Sequence, residues 1–140
     1  MVVIDANIVM ALILALPYSN RVATRIKVIS EQSEEMYAPM LLEYEVCSAL
    51  QREVSNRNLS KNAAAATIEL VHGLGIQMIS PTPSLHQAAL AWAAKLHHSK
   101  TYDAQYLALA EQMHFPLLTA DKRLARVAHT AGANWVECLI

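Results

Sequence analysis

The chain has 140 residues, room for one domain with its own core and too few for two of ordinary size. With 54% apolar and 16% charged residues, it can fill that core without a disulfide or metal scaffold. A net charge of −1 excludes a protein that works by long-range attraction to nucleic acid, so any such role must rest on a local site.

Val2–Ile4 is a β-branched run and predicts a central strand. Asn7–Ala15 predicts a helix ending near Pro17. Its apolar part, Ile8–Leu16, is about nine residues long, too short to cross a bilayer. No basic segment precedes it, so a cytoplasmic protein with no membrane partner is expected. Val22, Ala23, Ile26 and Ile29 recur in steps of three and four, which predicts an amphipathic helix over Asn20–Glu31. Met36–Pro39 predicts a short strand, with Pro39 placed to start the helix that continues over Leu41–Val54. Ser60 is placed to N-cap a helix reaching about Leu70. Gly75–Ser80 predicts a strand stopped by the Pro-Thr-Pro that follows. Helices are predicted over Leu85–His97, Tyr102–Met113 and Lys122–Ala131, and strands over Phe115–Thr119 and Trp135–Leu139.

Strands alternating with helices or helix pairs argue for an α/β fold with a mainly parallel sheet and helices on both faces. Three glycines, no linker-like stretch and no solenoid repeat leave a single domain, residues 1–140. Cys47 and Cys138 lie far apart with no CxxC and read as free thiols of a reducing compartment. In a parallel sheet, ligands bind outside the carboxyl ends of the strands. Asp5 follows the first strand and Asp121 follows Leu117–Thr119, so both fall at that edge.

Of the twelve acids, Glu31, Glu34, Glu35, Glu53, Glu69, Glu111 and Glu137 read as solvated or peripheral charge. Asp5, Glu43, Glu45, Asp103 and Asp121 stand in apolar surroundings. Each has a plain structural reading: Asp5 and Asp121 as N-caps, Asp103 as a favourable charge in a first helical turn near Thr101. Gathered in one small domain, they would repel one another unless a cation neutralised them, and hard oxygen ligands suit Mg²⁺ or Mn²⁺. A helical wheel of about 100° per residue leaves Glu43 and Glu45 on either side of the stripe Leu42, Val46, Ala49 and Leu50, and does not choose between them.

The segments VVIDANIVM, APMLLEYEVCSAL and TYDAQYLALAEQMHFPLLTADKRLA, in that order and spacing, resemble the PIN-domain ribonucleases, closest to the VapC-type toxins of toxin–antitoxin pairs. The resemblance runs over nearly the whole chain, and the last segment is its most specific part. It implies a PIN-like three-layer sandwich, a central mainly parallel sheet flanked by helices. It also implies an acidic quartet that holds one or two divalent ions, which falls on Asp5, Glu45, Asp103 and Asp121. The spacing from Pro39 to the glutamate prefers Glu45 over Glu43. Asn7 and Thr119 match polar residues that support such a site. One departure is Ser48, where many members carry asparagine.

The activity implied is hydrolysis of RNA phosphodiesters with Mg²⁺ or Mn²⁺, leaving 3′-hydroxyl and 5′-phosphate ends. A metal held by Asp5, Asp103 and Asp121 would activate water and stabilise phosphate charge, with Glu45 completing the site. Lys122, Arg123 and Arg126 are candidate contacts to flanking phosphates, although Lys122 and Arg126 also suit a plain exposed helix face. The partners implied are an RNA substrate, a cognate antitoxin and a second copy in a homodimer. Apolar faces on Ile8–Leu16, Val22–Ile29 and Asn62–Leu70 exceed what one small core needs and fit those interfaces.

No pair among the six histidines has the spacing of an acid–base ribonuclease, so they read as surface or core residues. A haloacid dehalogenase-like phosphatase needs a second Asp where Asn7 stands, and a receiver-like phospho-acceptor needs paired acids near the first strand. The remaining alternative is a PIN-fold module that binds RNA or a partner without cutting.

Overall fold

Short buried strands arise where β-branched and leucine runs are punctuated by helix starts. The computed structural model describes residues 1–140. Val2–Ile4 form β1, followed by α1 (Ala6–Ile13), α2 (Ser19–Glu31), β2 (Met36–Pro39), α3 (Leu41–Ser55) and α4 (Lys61–His72). Then come β3 (Gln77–Ile79), α5 (Pro83–Lys95), α6 (Tyr102–Met113), β4 (Leu117–Thr119), α7 (Lys122–Thr130) and β5 (Val136–Cys138).

The five strands make one sheet in the order β3-β2-β1-β4-β5, with every neighbouring pair parallel. Strand β1 is central, with Val3 in register with Tyr37 on one side and Leu117 on the other. The chain winds outward from β1 to β2 and β3, then returns to lay β4 against the other edge of β1. The winding direction therefore reverses between β1 and β4. A crevice opens at such a reversal because the connections leave in opposite directions.

Helices cover the sheet, as the complete burial of the central strands β1 and β4 requires. Helix α6 is buried almost all round, through Ala104, Tyr106, Leu107, Ala108, Leu109 and Ala110, and packs on β1 and β2. Its alanines let it lie close to the sheet, and leucines such as Leu107, with no exposed surface, each contribute about 1.5–3 kcal/mol of burial. Helix α4 is the opposite case: only Val71 is buried, and Leu70 is 68% exposed. Helix α6 ends on His114 in the left-handed region (φ 56°), which turns the chain into Phe115 and Pro116 and so into β4.

Pro39 closes β2, the end expected for that strand, in register with Ile79; it is Met40, not Pro39, that takes the cap position of α3, and its N–H donates to Ile79 O at 3.1 Å. The segment after β3 does not merely stop the strand. Thr82 caps α5 by accepting from Leu85 N at 3.2 Å, Pro83 takes the first turn, and the helix starts there rather than at Leu85. Ser60 caps α4 as expected, accepting from Ala63 N at 3.0 Å.

Candidate active site

Asp5 leaves β1 at the winding reversal, tied to β4 by its own N–H donating to Leu118 O at 3.0 Å. It occupies the N-cap position of α1, yet its side chain caps nothing. Its carboxylate turns to the neighbouring strand instead. Thr119 Oγ1 donates to Asp5 Oδ2 at 2.7 Å, and Asn7 Nδ2 donates to the same oxygen at 2.7 Å. Asn7 Oδ1 accepts from Ala120 N at 2.7 Å, and Asp121 N donates back to Thr119 Oγ1 at 3.0 Å. Asn7 and Thr119 thus lock the ends of β1 and β4 into one polar knot around a buried carboxylate.

Asp121 begins α7 and does cap it: its Oδ1 accepts from Arg123 N at 2.8 Å and Leu124 N at 2.9 Å. Asp103 lies in the first turn of α6, where Thr101 makes no side-chain cap, and its Oδ2 stands 3.7 Å from His98 Nδ1. Glu45, on α3, is held by Tyr106 of α6, whose hydroxyl donates to Glu45 Oε2 at 2.5 Å. Glu43 points elsewhere, 3.8 Å from His72, so the wheel's ambiguity resolves in favour of Glu45 as the glutamate near Asp5.

Three of the acids are pushed upward together. Burial pushes the Asp5 carboxyl up to about 7, against the hydrogen bond from Thr119, and the charges of Glu45 and Asp103 push it further the same way. Burial raises Glu45 as well, opposed by the Tyr106 hydroxyl and aided by Asp103. Partial burial raises Asp103, opposed by His98 and Arg123 and aided by Asp121. Carboxylates whose ionised forms are disfavoured together make a site short of positive charge. The donors are all oxygen, which suits a hard divalent cation that keeps part of its water. No three His, Cys, Asp or Glu side chains are grouped closely enough to hold a metal ion as they stand. Asp103 and Asp121 border one open cleft and Glu45 another, while the buried Asp5 lines neither.

One cleft, of about 340 Å³, has Asp103 and Asp121 on its wall with His98, Lys100 and Arg123. The other, of about 750 Å³, runs from Asn7 and Glu45 past Ser48 to Arg52 and the apolar side chains of α1. Of the three cations that follow Asp121, only Arg123 lines a cleft with the acids; Lys122 and Arg126 are exposed along α7.

A family model described as PIN domain matches residues 2–130. The chain belongs to the PIN domain family. Among curated proteins, this PIN domain is 38% identical over 89 residues to Ribonuclease VapC1 of Mycobacterium tuberculosis, a match covering 63% of this chain and 64% of that protein. The chain thus spans just under two thirds of that relative's length. It is 28% identical over 126 residues to Ribonuclease VapC12 of the same species, covering 90% of this chain and 91% of the relative. Among solved structures, a toxin–antitoxin complex from Klebsiella pneumoniae superposes with a TM-score of 0.70 at 15% identity, covering 100% of this chain and 98% of that one. VapBC2 from Rickettsia felis, bound to a DNA fragment from their promoter, superposes with a TM-score of 0.70 at 11% identity, covering 91% of this chain and 93% of that one. At those identities the superpositions establish the fold.

The PIN domain also uses residues that its sequence had not singled out. Tyr106 is 1% exposed, and burial together with the charges of Glu45 and Asp5 pushes its phenol far above the ordinary range, so it is a fixed donor. A tyrosine one helical turn after Asp103, on the same face of α6, was the available signal. His98 is not a plain surface or core histidine; it sits beside Asp103 at the cleft wall. Two of the peripheral glutamates hold partners: Glu111 accepts from Trp92 Nε1 at 2.7 Å, and Glu137 pairs with Arg25 Nε at 3.2 Å. Cys47 and Cys138 are free thiols. No helix is long and apolar enough to cross a membrane.

Proposed function

We propose that this PIN domain is a divalent-metal-dependent endoribonuclease and the toxin of a toxin–antitoxin pair. The observation that carries the reading is the Asp5 carboxylate at the winding reversal, whose ionisation is opposed first by burial and then by the charges of Glu45 and Asp103, with Asp121 tied to the same Thr119 hydroxyl. A divalent cation relieves that opposition. Asp5, Glu45, Asp103 and Asp121 are the residues that would hold Mg²⁺ or Mn²⁺, directly or through water. Such an ion supplies an activated water and stabilises charge on the phosphate.

The chain's own residues do the remaining work. Thr119 and Asn7 orient Asp5, and their two donated hydrogen bonds fix which oxygen faces the knot. Tyr106 pins one oxygen of Glu45, leaving the other to orient water or receive its proton. Lys100 and Arg123, on the wall with Asp103 and Asp121, are placed to meet phosphate oxygens. The names of the VapC relatives support RNA as substrate. The toxin–antitoxin neighbours, together with the exposed Ile68 and Leu70 of α4, support an antitoxin partner and a homodimer. A cytoplasmic setting follows from that role.

The test is to incubate purified protein with total RNA and Mg²⁺ or Mn²⁺, beside EDTA and beside Asp5→Asn. Cutting that needs the metal and vanishes in the variant supports the proposal. Cutting that persists in EDTA or in Asp5→Asn overturns the metal role. RNA binding without cutting in either metal replaces the nuclease with a non-catalytic module.

A further inference from the structure

Three clefts open along the carboxyl edge of the sheet, and one ring borders all of them. Tyr102, the first residue of α6, is 54% exposed and lines the Asp103–Asp121 cleft, the Glu45 groove and a third, apolar cavity of about 270 Å³. That cavity lies beyond the ends of β2 and β3, bordered by Pro39 and Ile79, with Met40 and Leu85 among its walls. Tyr44, 68% exposed, lines both it and the Glu45 groove. On its polar side, beside Thr101, His86 Nδ1 and Gln105 Oε1 stand 3.3 Å apart. The far nitrogen of His86 and the amide nitrogen of Gln105 have no partner within the chain.

We infer that this cavity is a nucleobase subsite of the substrate RNA, holding the base of a nucleotide next to the bond that is cut. The inference rests on the nuclease reading for its substrate class. The cavity falls below the roughly 300–1,000 Å³ of drug-sized sites, a size suited to one planar heterocycle. Every base offers a π-face, and two exposed tyrosines flanking an apolar slot are what base stacking uses. His86 and Gln105 supply a small set of donors and acceptors for the base edge, the part that distinguishes one base from another. Around the Tyr102 ring, Lys100 and Arg123 stand on the side of the acids, where the backbone phosphate of the same strand would run. A partner's helix would need a long groove with anchors at successive turns, not a slot for one ring.

The test separates this subsite from the nuclease reading by measuring binding and cutting independently. Asp5→Asn protein in EDTA is titrated with fluorescent single-stranded rA, rC, rG and rU octamers, alone and carrying Tyr102→Ala, Tyr102→Phe or the pair His86→Ala with Gln105→Ala. Expected are unequal affinities among the four, a loss of about tenfold or more in Tyr102→Ala, and near-full retention in Tyr102→Phe. The His86/Gln105 pair should flatten the preference among bases. Thermal melts confirm folding, which substitution of an exposed side chain leaves intact. Cutting by the wild type with no base preference and no Tyr102 effect overturns the subsite and spares the nuclease reading. Base-selective binding lost in Tyr102→Ala, without any cutting by the wild type, removes the nuclease and overturns the placement beside a cut bond, leaving a base-binding slot of a non-catalytic module. Unchanged RNA binding with a Tyr102→Ala loss of self-association or of antitoxin binding also overturns it, and assigns the slot to a protein.

Discussion

Thr119 Oγ1 reaches from the end of β4 to Asp5 Oδ2 at the end of β1, 2.7 Å away, while accepting the N–H of Asp121 at 3.0 Å. One fully buried hydroxyl therefore joins two of the proposed metal-binding acids. Thr119→Val keeps the shape and removes both bonds together with a third, donated by Asn7 Nδ2 at 3.1 Å. It should cost about 1–3 kcal/mol in urea denaturation, because a buried carboxylate and a backbone N–H each lose a partner. Thr119→Ser should lie much closer to the wild type. A Thr119→Val protein as stable as the wild type would show that the knot contributes nothing.

Asp5 predicts how the metal-free protein responds to pH. Its carboxyl is raised to about 7 in the fold, above its ordinary value of 3.8. The stability it contributes is therefore full below about pH 4 and is lost as pH rises through about 7, at up to about 1.4 kcal/mol per pH unit. In EDTA, wild-type protein should lose stability between pH 4 and 7 relative to Asp5→Asn, by a few kcal/mol at most. Mg²⁺ should restore it in the wild type and leave Asp5→Asn unmoved, read as melting temperature against metal concentration. Parallel melting curves for the two proteins across that range would contradict the assignment.

Tyr106→Phe removes one atom from a tightly packed place. The lost hydroxyl lowers the pKa of Glu45 in the wild type, so its removal raises that pKa further. If ionised Glu45 serves the reaction, the acid limb of kcat/KM moves to higher pH and the rate falls about tenfold or more. Stability should change by only about 1 kcal/mol, since ring volume is conserved. An unshifted pH profile would remove Glu45 from the chemistry.

Asp121 has two separable duties. Asp121→Asn keeps an oxygen for the N–H groups of Arg123 and Leu124, so α7 should stay capped while metal-dependent cutting is lost. Asp121→Ala loses the cap as well, at about 0.5–2 kcal/mol. Chemical denaturation of the two variants distinguishes them; equal losses of stability would mean that the cap is held by something else.

Much of the fold was legible before any coordinates. The 3.6-residue periodicity of α2 and α3, the capping serine of α4 and the β-branched run of β1 are local signals, and local signals survive folding because they act within a few residues. Helix α6 matched its predicted bounds, Tyr102–Met113, a stretch rich in the strong helix formers alanine and leucine. The four acids were singled out by the resemblance, and the wheel alone left Glu43 and Glu45 open. The roles of Pro39 and Pro83 were not, because a proline at a strand–helix junction is compatible with either side until the register with β3 and the Thr82 cap decide it.

Sequence by itself determined which residues are apolar, the order of helices and strands, and that acids recur beside them. Only the tertiary structure decided what those acids touch. Asp5 and Thr119 are 114 positions apart, Glu45 and Tyr106 are 61 apart, and no periodicity links such pairs. The reversal of winding between β1 and β4 brings them together. It also explains why Asp121 both caps a helix and faces the acids, and why Arg123 enters the cleft while Lys122 and Arg126 do not. Hydrophobic burial dictates that these elements pack, but the side chains that meet at the edge of the sheet are set by strand order, a property of the whole chain.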